Sequence, residues 1–202
     1  MGKELRVIET DFEVKQAGDE AEKIKGYAAI FNNAAEEQMG FIEKIAPGAF
    51  RNAIKTTDTR ALINHDPNMV LGRKSAGTLT LKEDEKGLYY EIEPPDTTYA
   101  NDLLESMRRG DIDQSSFGFV VAEDGEEWDE SGQTPVRTIT EVEELHDVSP
   151  VTFPWYGNTE SGIKSRSEII EEYRESCNKQ QKNNKSKLEL LKRKNKLHRR
   201  LY

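Results

Sequence analysis

The chain has 202 residues, room for one well-buried domain and an appendage, and at 35% hydrophobic and 33% charged it is polar enough that part of it is expected to be solvated. Its single cysteine excludes a disulfide framework and a cysteine-rich zinc site, and no run of about eighteen apolar residues offers a transmembrane helix. The net charge of −9 is unevenly spread: residues 1–162 carry 16 Lys/Arg and 33 Asp/Glu (−17), residues 163–202 carry 13 and 5 (+8), an acidic domain with a basic tail.

Leu5 to Val14 mixes apolar and charged residues in rough alternation and reads as a first strand. Gly26–Phe31 is a second strand, bounded by Asn32-Asn33, and Phe41–Ile45 a short third. Pro47 to Phe50 opens a helical turn running to about Lys55. Two short apolar runs, Ala61–Ile63 and Met69–Leu71, flank Asn64-His65-Asp66-Pro67, with Asp66-Pro67 as the turn former. Thr78–Leu81 and Leu88–Ile92 form a hairpin around Gly87, which Pro94-Pro95 stops.

Tyr99 to Arg109 is the clearest helix: Ala100, Leu103, Leu104 and Met107 recur at helical spacing, Thr98 is placed to cap the start and Gly110 to end it. Ser116–Val121 is a strand interrupted by Gly118, Ala122–Pro135 an acidic loop, Val136–Val142 an imperfect strand, and Leu145–Phe153 the last. Many short strands with one solid helix predict an α+β domain, mainly β and built as a small barrel, over residues 1–160. Residues 161–202 read as a tail: a helical pattern over Ser165–Cys177, a polar linker over Asn178–Lys185, and a basic amphipathic segment through Arg200.

His65 is one of three histidines, following an apolar run at a strand end, where a rigid scaffold presents a side chain. Imidazole serves as a general base near neutral pH, and a serine on a strand supplies a nucleophile. Ser115 and Ser116 face opposite sides of their strand, so only one can meet His65. With Phe117 and Phe119 taken as core, Ser116 shares the other face with Gly118, which would let a substrate backbone approach. A third group must hold the imidazole tautomer. Asp147 is best placed, because it interrupts an apolar strand where an ion needs a partner; His146 and Glu144 are the alternatives.

Several runs then resemble, in order, the prohead (capsid maturation) serine proteases of tailed bacteriophages: Gly26–Asn32, Glu43–Phe50, Asn64–Pro67 with Val70–Arg73, Gly77–Leu79, Asp102–Leu104 through Arg109–Ile112, Ser116–Phe119 and Asp147–Pro154. They span about Ile8 to Thr159. The resemblance implies a herpesvirus-assemblin-like fold, a small, partly closed β-barrel with flanking helices, and a serine endopeptidase whose histidine falls on His65, serine on Ser116 and acid on Asp147. The family's Gly-Met before the serine is Gln114-Ser115 here, its usual Glu is Asp147, and Trp155 stands where a small residue is expected.

The resemblance also implies scaffold and major capsid protein as substrates, self-cleavage, a homodimer, and a location in the host cytoplasm inside the immature capsid. No cofactor or metal is expected. The first residues carry no apolar signal-peptide run, so no secretory leader is expected, and one thiol suits a reducing cytosol. Nucleic acid is not an expected partner: Tyr173 and Tyr202 are the tail's only aromatics for base stacking, and the domain is acidic. The alternative from another class is a non-catalytic capsid scaffold or assembly protein.

Overall fold

The computed structural model describes residues 3–10, 12–15, 22–33 and 41–153. The chain divides into two units, Met1–Ile163 and Lys164–Tyr202, and the described residues all belong to the first. The expected tail helix, linker and basic segment, with Trp155, Cys177 and His198, lie outside the described residues.

The stretch expected as one opening strand is two, β1 (Glu4–Glu9) and β2 (Glu13–Lys15), because the chain changes sheet between them. β3 (Lys23–Ile30) and β4 (Ile42–Ile45) follow, then a single helical turn α1 (Ala53–Thr56). β5 (Arg60–Ile63) and β6 (Asp66–Arg73) form a hairpin, as do β7 (Leu79–Glu83) and β8 (Gly87–Ile92). After helix α2 (Thr98–Arg109) come β9 (Gln114–Val121), β10 (Glu126–Asp129), β11 (Val136–Ile139) and β12 (Val142–Val151).

Among the described residues the ladders make three sheets, ordered β1-β9-β12-β5-β6, β10-β11-β4 and β2-β3-β8-β7. The mainly-β α+β class is as the sequence predicts, but the ladders close no barrel. β10 lies in the stretch expected as an acidic loop; its only large apolar residue, Trp128, packs edge-on against Phe41 with ring centroids 5.0 Å apart. The expected strand Val136–Val142 divides at Thr140-Glu141, so that Val142 opens β12 instead.

One apolar cluster is shared by elements of all three sheets. Phe117 and Phe119 of β9, Leu145 and Val148 of β12, Tyr90 and Ile92 of β8 and Ile139 of β11 meet in it. α2 adds the apolar stripe read from its spacing, Ala100, Leu103, Leu104 and Met107. The helix ends as expected: Gly110 takes the left-handed conformation (φ 78°), and the N–H groups of Gly110 and Asp111 bond the Met107 and Ser106 carbonyls in a Schellman closure. Its start is one residue earlier than expected. Thr97 is the cap position, Thr98 is already helical, and the Thr97 hydroxyl makes no capping bond.

Candidate active site

β9 is the central strand of the site. It pairs with β1 on one side and β12 on the other, setting Ser116 opposite Val7 and Ser149, and Gly118 opposite Leu5 and Asp147. One face carries Phe117 and Phe119 into the core, so Ser116 and Gly118 share the other. Ser115 faces away from Ser116: its hydroxyl lies 3.1 Å from the hydroxyl of Tyr90, and both residues are fully buried. Burial raises the Tyr90 phenol well above its ordinary pKa, so it stays neutral.

Asp147 reaches the same face through an irregularity in β12. Leu145 pairs with Phe119 and Asp147 with the next residue, Gly118, so one partner residue on β9 is matched by two on β12. His146 is the extra residue. Strict alternation would put Leu145 and Asp147 on one face; the bulge sends Leu145 into the core and Asp147 to the site. His146 turns outward, its Nε2 3.4 Å from Glu144 on the solvent side, so neither of these alternatives meets His65.

His65 arrives from the β5–β6 hairpin. Ile63 pairs with Asp66, so the turn is the dipeptide Asn64-His65, not Asp66-Pro67. Both residues have positive φ, 50° and 58°, the requirement of a tight two-residue hairpin turn and an uncommon conformation for a histidine. Asn64 ties the turn to β12: its N–H bonds Pro150 O at 3.0 Å, and its side-chain oxygen accepts the Thr152 N–H at 2.9 Å. A backbone held in this sparsely populated region by its bonds to Pro150 and Thr152 is where local strain accompanies a site.

These elements bring the three side chains together. His65 Nε2 is 2.7 Å from Ser116 Oγ, and His65 Nδ1 hydrogen-bonds Asp147 Oδ1. A carboxylate only accepts, so Nδ1 carries the proton and Nε2 is left to accept from the serine hydroxyl. Ser149 Oγ donates to the same Asp147 Oδ1 at 2.8 Å, and Lys3 Nζ donates to Oδ2 at 2.9 Å. Burial raises the Asp147 carboxyl pKa, but the hydrogen bond and charge of His65 and the ammonium of Lys3 outweigh it and hold it at about 2, so it is ionised at neutral pH. Ser116 and Asp147 are buried and His65 is one-tenth exposed, so the imidazole is the member of the three nearest solvent.

Sequence reasoning missed three features. Ser149 follows Asp147 by two residues, and the period of a strand places both on one face. Nothing in the sequence signals Lys3, which lies 144 positions from Asp147. Gly118 makes room for a different neighbour than expected: a Cβ there would lie 2.5 Å from Asp147 Oδ2 and 2.5 Å from Lys3 Cε, so its bare face accommodates that ion pair. Gly118→Ala is expected to force the pair aside and cost about 1–3 kcal/mol, measured as a lower urea midpoint. A cavity of about 610 Å³ bordered by Val121, Glu141 and Val142 lies at the far end of the β9–β12 ladder and contains none of the three residues.

The chain matches the family described as Caudovirus prohead serine protease over residues 10–175. It is 32% identical over 162 residues to the prohead protease of Enterobacteria phage HK97, a match taking in 78% of this chain and 66% of that protein's length. The solved structure of the bacteriophage T4 capsid assembly protease aligns with 75% of this chain and 99% of its own, with a TM-score of 0.45 and 12% identity.

Proposed function

The chain belongs to the Caudovirus prohead serine protease family, and we propose that it is a serine endopeptidase that cuts capsid components during prohead maturation, with Ser116 as nucleophile, His65 as general base and acid, and Asp147 as the group that orients His65. The observation that carries this reading is the continuous hydrogen-bond chain from Ser116 through His65 to Asp147, assembled from β9, the β5–β6 turn and the bulged β12. In support, three side chains far apart in sequence lie within hydrogen-bond reach in the serine–imidazole–carboxylate order that acyl transfer uses.

Ser116 Oγ attacks the scissile carbonyl while His65 Nε2 takes its proton, giving a tetrahedral oxyanion. The imidazolium then bears a proton on each nitrogen, its Nδ1–H still on the Asp147 carboxylate, whose charge stabilises it. His65 gives the Nε2 proton to the leaving amine, the C–N bond breaks, and an acyl ester of Ser116 remains. Water repeats the sequence: His65 removes its proton, hydroxide adds to the ester carbonyl, and the proton returns to Ser116 Oγ as the acid leaves. Ionised Asp147 fixes the reactive tautomer at each step.

The substrates in this reading are the scaffold and the major capsid protein, cut inside the immature capsid in the host cytoplasm by a protease that works as a homodimer. The assemblin-like barrel architecture belongs to the same reading and rests on the sequence resemblance. The basic tail, +8 over residues 163–202, is read as a segment that holds the protease against acidic scaffold and is then removed by self-cleavage.

Co-expression with the scaffold and major capsid protein of the same phage tests the activity: new termini in both proteins, read by mass spectrometry, are expected. Full-length substrates beside abundant folded protease would count against it. For the tail, the protease recovered from mature particles is expected to have lost C-terminal mass, and an intact C-terminus there would overturn self-cleavage.

A further inference from the structure

Asp147 is 2% exposed, and one of its oxygens is already taken by His65 and Ser149. The other, Oδ2, points away from His65 and would be a buried, uncompensated charge without the ammonium of Lys3 at 2.9 Å. Lys3 immediately precedes β1, and its side chain, about one-third exposed, crosses the site face of the sheet over Gly118. Two features define the couple. A cation meets the outer oxygen of the carboxylate, and the strand between them bears a glycine where any side chain would collide with both partners.

We propose that Lys3 is a positioning residue for the protease, fixing the Asp147 carboxylate toward His65 and offsetting part of its charge. The inference rests on the triad assignment made above. In general an anion close to an imidazole favours its protonated form, which is no base, and a cation close by opposes this. A cation on the far oxygen counters that tendency while leaving the Nδ1–H hydrogen bond intact. Lys3 thereby acts on the reaction through Asp147, touching neither nucleophile nor base.

Among the described residues, β12 supplies Asp147 and the residue before β1 supplies Lys3, while β9 places the uncharged Ser116 and Gly118 opposite Ser149 and Asp147. Arg60, the ladder partner of Asp147 on β5, turns to Asp58, and Asp66 of β6 accepts the Asn68 N–H. Glu4 and Arg6 of β1 engage Glu43 and Arg137, away from the site.

The test uses the full-length chain and a fluorophosphonate probe, whose displacement of fluoride by Ser116 is followed by intact mass from pH 5 to 9. In Lys3→Met the acid limb of the labelling rate is expected to move up by about one pH unit, so that labelling low on that limb slows about tenfold. Lys3→Arg is expected to restore the wild-type limb. Thermal melting checks that each variant is folded, and Lys3→Gln provides a second neutral replacement should methionine disturb the strand end. A wild-type limb in both neutral variants, or the same displacement in Lys3→Arg, overturns the role of Lys3 while leaving the triad standing. No labelling of the wild-type chain at any pH overturns the Ser116 assignment, and this inference with it.

Discussion

Ser116→Ala is expected to abolish processing of the capsid substrates, a loss of about 10⁶-fold in rate if the three groups act as a unit. Its neighbour provides the control. Ser115→Ala removes a hydroxyl on the opposite face of β9, bonded to Tyr90 and 0% exposed. That variant is expected to keep most of its activity and lose about 1–3 kcal/mol of stability, because the buried Tyr90 hydroxyl is left without that partner. Adjacent serines on one strand thus separate into a kinetic and a structural effect, read by product mass in one assay and urea midpoint in the other. Equal processing by Ser116→Ala and wild type would remove the nucleophile assignment. Severe loss in a well-folded Ser115→Ala would exchange the two roles.

The pairing of Ser116 with His65 was legible because it rests on local rules. A strand has period two, Phe117 and Phe119 are too apolar to face solvent, and so Ser116 faces the other way. The α2 stripe was legible for the same reason, and both patterns carry their own geometry. The turn at Asn64-His65 was misread because Asp-Pro is a strong turn signal, whereas positive φ at a histidine costs energy and is tolerated only with tertiary support such as Asn64 receives from Pro150 and Thr152. Asp147 was singled out as an ion in an apolar strand, but its direction depends on a bulge at His146 that the alternation of residues conceals. Lys3 was invisible, since a contact across 144 positions follows from sheet order, which local patterns do not encode. The partly closed barrel was legible only as a suggestion: strand count and spacing suggest a barrel, but closure depends on which edges pair, and among the described residues the ladders form three separate sheets, the chain changing sheet between β1 and β2.

Arg137→Met is expected to destabilise the domain by about 3–5 kcal/mol, because it breaks a buried ion network by removing its centre. Arg137 is 2% exposed; its guanidinium bonds Glu4 at 2.8 and 3.0 Å, Glu43 at 2.9 Å and Glu126 at 2.7 Å. Arg6 bonds the same Glu4 and Glu43, so two arginines and three glutamates join β1 to the β10-β11-β4 sheet. Burial alone raises the Glu4 carboxyl, but the guanidinium groups of Arg137 and Arg6 more than reverse this and set it at about 2, below its ordinary 4.5. A folded value below the unfolded one means the stabilisation is complete above about pH 4.5 and is lost as pH falls toward 2. The Arg137→Met deficit should therefore be largest near neutrality and smaller at pH 3, as urea denaturation of both proteins at the two pH values would show. A deficit independent of pH would mean the arginine acts through packing alone. Because β1 is anchored by this network and Lys3 directly precedes it, the same substitution is expected to slow Ser116 labelling even at urea concentrations where the fold is retained. Activity lost before the fold is the sign that the network holds β1 in register with β9, where Leu5 stands opposite Gly118 and Lys3 reaches Asp147.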